Sequence, residues 1–75
     1  MDSNKEKTLL NNLFAKGQLY LKKNNPKQAI INFKKILAVR PKNPQVLNLI
    51  GIAFHQIPDF NKAVYYITKA IKFDT

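Results

Sequence analysis

Apolar residues return every three or four positions in four stretches of this chain, and each stretch is set off by asparagine, proline or aspartate. In the first stretch Leu9, Leu10, Leu13, Phe14, Ala15, Leu19, Tyr20 and Leu21 form one broad apolar face that ends at Asn24 and Asn25. That period is the signature of an amphipathic helix. Ser3, with Glu6 three residues on, has the form of a capping box, which predicts a helix start near residue 4. The second stretch carries Ala29, Ile30, Phe33, Ile36, Leu37 and Val39 on one face and Lys27, Lys34 and Lys35 away from it. Asn25 followed by Pro26 marks its start, because the asparagine side chain accepts an unpaired amide while proline at the first helical position has none to leave unpaired. A helix from 26 to about 40 follows.

The same asparagine and proline pair recurs at Asn43 and Pro44 and predicts a third helix from 44 to about 56. Pro58 and Asp59 then interrupt the chain. Asp59 suits an N-cap, and its charge suits the positive end of a helix, so a fourth helix should run to Phe73. The stretches 29–31 and 64–67 are locally β-prone, but each lies inside a longer pattern with helical spacing. Connections of a few residues make consecutive helices antiparallel neighbours. The expected class is therefore all-α.

An internal period organises the four helices. Gly17 and Gly51, the only two glycines, are 34 residues apart, as are Leu13 and Leu47, Tyr20 and Phe54, Ala29 and Ala63, and Ile30 and Val64. A glycine inside an apolar helix costs about 1 kcal/mol relative to alanine, so two at equivalent places imply close approach of a partner helix. Ala29 and Ala63 supply the small residue on the other side of that approach.

This placement resembles the tetratricopeptide repeat. In the second copy Leu47, Ile50, Gly51, Phe54, Ala63, Ile67 and Ala70 stand at the signature positions, with Thr75 where the closing proline would be. In the first copy Leu13, Gly17, Tyr20, Ala29, Phe33 and Pro41 match, while Lys16 replaces the leucine and Ile36 the second alanine. The resemblance implies two antiparallel helix-turn-helix hairpins stacked as a short right-handed α-solenoid, one domain over 1–75 with repeats at about 10–43 and 44–75. It also implies a concave groove for a peptide or helix, lined here by Asn11, Phe14, Gln18 and Leu21 and by Asn48, Leu49, Ile52 and His55. Ordinary core packing is the competing role for Phe14, Leu21 and Ile52. The family's lysine and asparagine clamp for a C-terminal carboxylate is missing, since Phe14, Gln18 and Leu49 occupy its positions. The stretch 49–56 is also similar to repeats that precede sugar-transfer domains, which makes the N-terminal segment of a larger enzyme such as a glycosyltransferase an alternative.

Composition adds constraints more than functions. Thirteen lysines and arginines against four acids give a net charge of +9. Such a balance suits nucleic acid or another anionic surface, with Lys27, Lys34, Lys35, Lys62, Lys69 and Lys72 as the outer stripe, but a solvated face in a lysine-rich chain is the preferred reading. There is no cysteine, and His55 is the single histidine, so neither a disulfide nor a zinc site is expected. No pattern for a catalytic triad or a phosphate-cradling loop is present, and neither enzymatic activity nor a cofactor is expected. The polar N-terminal residues and the absence of a run of ~20 apolar residues point to a cytoplasmic protein without a transmembrane segment.

Each repeat of this kind buries its apolar face against the next. The fourth helix ends the sequence, so Tyr66, Ile67, Ala70, Ile71 and Phe73 are expected to form a partly uncovered face for self-association or for continuation of a longer array. The reading is thus of a protein-binding adaptor or scaffold, then a self-assembling module, then a basic binder of nucleic acid.

Overall fold

A computed structural model describes residues 3–74; Met1, Asp2 and Thr75, including the expected site of the closing proline, lie outside the described residues. Four α-helices follow one another: α1 (Ser3–Lys22), α2 (Pro26–Val39), α3 (Pro44–Gln56) and α4 (Phe60–Phe73). They pack in chain order, α1 on α2, α2 on α3 and α3 on α4. The result is two helical hairpins stacked side by side, with no strand among the described residues.

The helix starts follow from their caps. The side chains of Asn25, Asn43 and Asp59 accept from the amides of Gln28, Val46 and Lys62 at 3.5, 3.1 and 3.2 Å. Pro26 and Pro44 open the helices behind the two asparagines. At the N-terminus the capping-box expectation gives way to a longer-range contact. Ser3 is already helical, and the Glu6 carboxylate accepts from Arg40, the residue that closes α2, at 2.5 Å.

The turn between α1 and α2 is tight because Asn24 takes a left-handed conformation, φ 59°. That lets the Asn24 amide donate to Leu21 O at 3.1 Å and the Asn25 amide to Tyr20 O at 2.8 Å, the paired bonds that close a helix end. The turn between α3 and α4 repeats the outer bond, from the Asp59 amide to Phe54 O at 2.6 Å. Its inner bond has no counterpart, since Pro58 stands where Asn24 does and carries no amide.

The core lies between the hairpins. Ile30, Phe33 and Ile36 of α2 share one buried cluster with Val46, Ile50 and Ala53 of α3, and Ala29, Phe54 and Ala63 belong to it. Full burial of one such large side chain is worth roughly 1.5–3 kcal/mol. The glycines do what their spacing implied. A Cβ on Gly17 would run into the Phe33 ring, with Cζ 2.6 Å away, and one on Gly51 would lie 2.5 Å from Ile67 Cγ1 and 3.2 Å from the Ala63 carbonyl oxygen. Asn32, buried on α2, donates its Nδ2 to Gln28 O at 2.9 Å, and among the described residues no buried side-chain nitrogen or oxygen lacks a partner. The molecule is only 15 Å across in its thinnest direction, little more than one helix with its side chains. Every helix therefore keeps an open face.

Candidate interaction surfaces

The first helices of the two hairpins, α1 and α3, carry the eight residues expected in a groove, and the structure distributes them over several places. Gln18 and Leu21 from α1 and Leu49 from α3 come together in one depression of about 510 Å³, completed by Ala15, Leu19 and Lys22. Leu21 and Leu49 are half-buried and form its floor, while Gln18 and Lys22 are exposed at the rim. Asn11 and Phe14 line a second depression with Arg40, Asn43 and Val46. Phe14 is also part of the packing, its ring edge-on to Phe33 with centroids 6.1 Å apart.

On α3 the remaining three diverge. Asn48 turns towards the end of α4 and lines a hollow with Gln45, Ala70, Ile71 and Asp74. His55 is exposed and meets the Phe60 ring edge-on at 5.2 Å. Ile52 is exposed at 39% on the same helix. Ala15 and Leu19, placed by the sequence pattern on the apolar face of α1, and Lys22 were not expected in the groove; Ala15 and Lys22 lie three and four residues from Gln18, and Leu19 four from Ala15, the spacing that would have found them.

The expected open face of α4 needs redrawing. Ala70 is buried, Ile67 rests over Gly51, and Tyr66 is half-buried and stacked on Phe54 at 5.5 Å, so α3 covers all three. Phe73 is half-buried, with Lys42 and Lys72 each 5.7 Å from its ring centre. Of the five, Ile71 alone is strongly exposed, at 70%. It is joined by Phe60 at 56% and Val64 at 63%, which recur along α4 at helical spacing and form an apolar row that stays largely exposed among the described residues. The 34-residue match of Val64 to Ile30 held this information, because Ile30 is a core residue.

Electrostatics are weakly structured. Lys62 lies 3.9 Å from Asp59 and 5.5 Å from the Phe54 ring centre, and Lys69 sits 5.1 Å from the Tyr65 ring centre. These are exposed, screened contacts, worth about 1 kcal/mol or less each. No three His, Cys, Asp or Glu side chains gather among the described residues. No described helix is long and apolar enough to cross a membrane.

Two stacked helical hairpins with a 34-residue period, small residues at each close approach and open first-helix faces define a helical-repeat interaction module. Residues 10–43 match the tetratricopeptide repeat family, so the chain carries a repeat of that family. Over 61 residues, 81% of its length, the chain is 38% identical to Protein CTR9 homolog from Arabidopsis thaliana and 28% identical to Anaphase-promoting complex subunit 3 from Schizosaccharomyces pombe. It spans 6% and 9% of those two proteins. No solved structure gives a significant match. Repeats of this family make protein-interaction modules, and that is the general role of this one.

Proposed function

We propose that the chain binds a peptide or helix of a partner protein across α1 and α3, with the floor formed by Leu21 and Leu49 and the rim by Gln18 and Lys22, and that it catalyses nothing. The observation that carries this reading is the depression itself, in which residues from the first helix of both hairpins converge on half-buried aliphatic side chains. An apolar floor with a few polar groups at its edge supplies affinity from burial and orientation from hydrogen bonds. A scaffold role in the cytoplasm, with the second hairpin acting as a second repeat, belongs to the same proposal.

The alternative of a nucleic-acid binder draws on the net charge of +9 without a built phosphate site, and the alternative of a segment of a glycosyltransferase has no observation behind it. The test is site-specific photocrosslinking with the reactive group placed at Gln18, at Lys22 or, as control, at Ile31 on the exposed side of α2. Groove binding gives partner crosslinks at Gln18 and Lys22 that persist at about 0.5 M salt, where purely electrostatic association is screened. Equal crosslinking from Ile31, or loss of all signal in salt, would defeat the proposal.

A further inference from the structure

Lysines in a lysine-rich chain face water by default, but the structure does not spread them evenly over its helices. α2 carries Lys27, Lys34 and Lys35 and α4 carries Lys62, Lys69 and Lys72, with no acid within either helix. α3 holds no lysine at all, although Gln45, Asn48, Ile52, His55 and Gln56 are exposed on it, and α1 mixes Lys5, Lys7, Lys16 and Lys22 with Glu6. The acids of the chain leave the second helices largely uncompensated. Glu6 is engaged by Arg40, Asp59 caps α4 and lies 3.9 Å from Lys62, Asp74 follows the end of α4, and Asp2 is outside the described residues. Among the described residues, Lys62 is the one lysine of the six with a carboxylate within 4 Å.

An exposed apolar side chain stands at the centre of each group. Ile31, 47% exposed, has Lys27 four residues before it and Lys34 and Lys35 three and four after it. Tyr65, its equivalent one period on and 56% exposed, has Lys62 three residues before it and Lys69 and Lys72 four and seven after it. Those steps gather each group on one helix face. Lys69 already lies along the tyrosine, with Nζ 5.1 Å from the ring centre and donating to the Tyr65 hydroxyl at 3.5 Å. Because α4 repeats α2 one period later, with α3 between them, the two groups open to the same side. None of the depressions described above includes any of these residues. A face of this kind offers no cavity to a peptide side chain and suits a broad anionic surface.

We infer that the outer faces of α2 and α4, centred on Ile31 and Tyr65, form a docking surface for an anionic lipid bilayer. The apolar centres separate this occupant from nucleic acid. An aliphatic side chain such as Ile31 neither stacks on a base nor bonds to a phosphate, whereas in the headgroup layer it buries its apolar surface, and a tyrosine ring takes its preferred interfacial place. Arginine, the side chain suited to bidentate contacts with phosphates and bases, is missing from both faces, and Arg40 is held by Glu6. Lysines keep their apolar stems along such a surface while each ammonium is drawn to the anionic headgroups.

The test uses the full chain and vesicles of phosphatidylcholine, either alone or with about 30% phosphatidylserine, with the bound fraction measured by flotation. The chain should float with the phosphatidylserine vesicles and not with the others. Lys27→Gln, Lys34→Gln and Lys35→Gln together should weaken binding at least about tenfold. Lys5→Gln, Lys7→Gln and Lys16→Gln together, an equal change of net charge placed on α1, should weaken it less than about threefold. All six side chains are exposed, so circular dichroism should show both variants folded. The chain has no tryptophan, so the Tyr65→Trp variant reports its own surroundings. Its emission should move to shorter wavelength on the phosphatidylserine vesicles and be quenched by brominated acyl chains. Four results would overturn the inference: no binding to phosphatidylserine vesicles at about 1 mM lipid, equal losses from the two triple substitutions, unchanged emission of the Tyr65→Trp variant on vesicles that bind it, or an oligonucleotide that engages the same lysines and strips the chain from the vesicles.

Discussion

Gly17 and Gly51 occupy equivalent places, yet a methyl group added at each meets a different kind of neighbour. At Gly17 it strikes the ring of Phe33, which is fully buried and held by Phe14 on its edge, so the ring has nowhere to go. At Gly51 it strikes Cγ1 of Ile67, which is half-buried and so has more room to give than a fully buried ring, although the Ala63 carbonyl stays close. Overpacking of a tight core costs roughly 1–3 kcal/mol, against a gain of about 1 kcal/mol from replacing a helical glycine. Gly17→Ala is therefore expected to lower the melting temperature, and Gly51→Ala to lower it less; a rise in either thermal unfolding curve would deny the close approach. At this scale much was legible in the sequence. Asn25, Asn43 and Asp59 cap as their residue types require, because capping is decided within three residues. Glu6 escaped the same reasoning, since its partner Arg40 lies 34 positions away and reaches it only through the packing of α1 on α2.

Between elements, the interface of α2 with α3 holds the two hairpins together. Ile50 is fully buried there, and Ile50→Ala is expected to cost about 2–5 kcal/mol. For a domain of this size that is most of a stability on the order of 5 kcal/mol, so urea denaturation should show a largely unfolded variant. Ile71→Ala, an equal loss of side chain on the open row of α4, should change stability by about 0.5 kcal/mol or less. Similar losses from the two substitutions would mean that α4 is covered after all. The limits of the four helices were legible because proline and cap residues stand at the breaks. Which side of α4 is left open was not. The apolar arc of that helix includes Ala63, Val64, Ile67, Ala70 and Ile71, and periodicity reports the arc without saying how much of it α3 covers.

For the whole molecule, thinness and charge act together. A layer 15 Å thick holds thirteen basic side chains close to one another, and the ion pairs of Arg40 with Glu6 and of Lys62 with Asp59 offset little of their repulsion. Raising salt from about 10 to about 150 mM should therefore raise the melting temperature, as the Debye length falls from ~30 to ~8 Å. A fall would mean that ion pairing outweighs self-repulsion. The candidate groove was only partly legible at this scale. Gln18, Leu21 and Leu49 converge, whereas Asn48 and His55 turn towards α4, because the sequence places residues on helix faces but not the rotation of α3 relative to α1. One consequence concerns motion. Asn25 donates its amide to the end of α1 and accepts with its side chain from the start of α2, so neither terminus loosens without the other. The hairpin should open as a single cooperative unit, and in native-state hydrogen exchange the amides of Asn25 and Gln28 should report the same opening free energy.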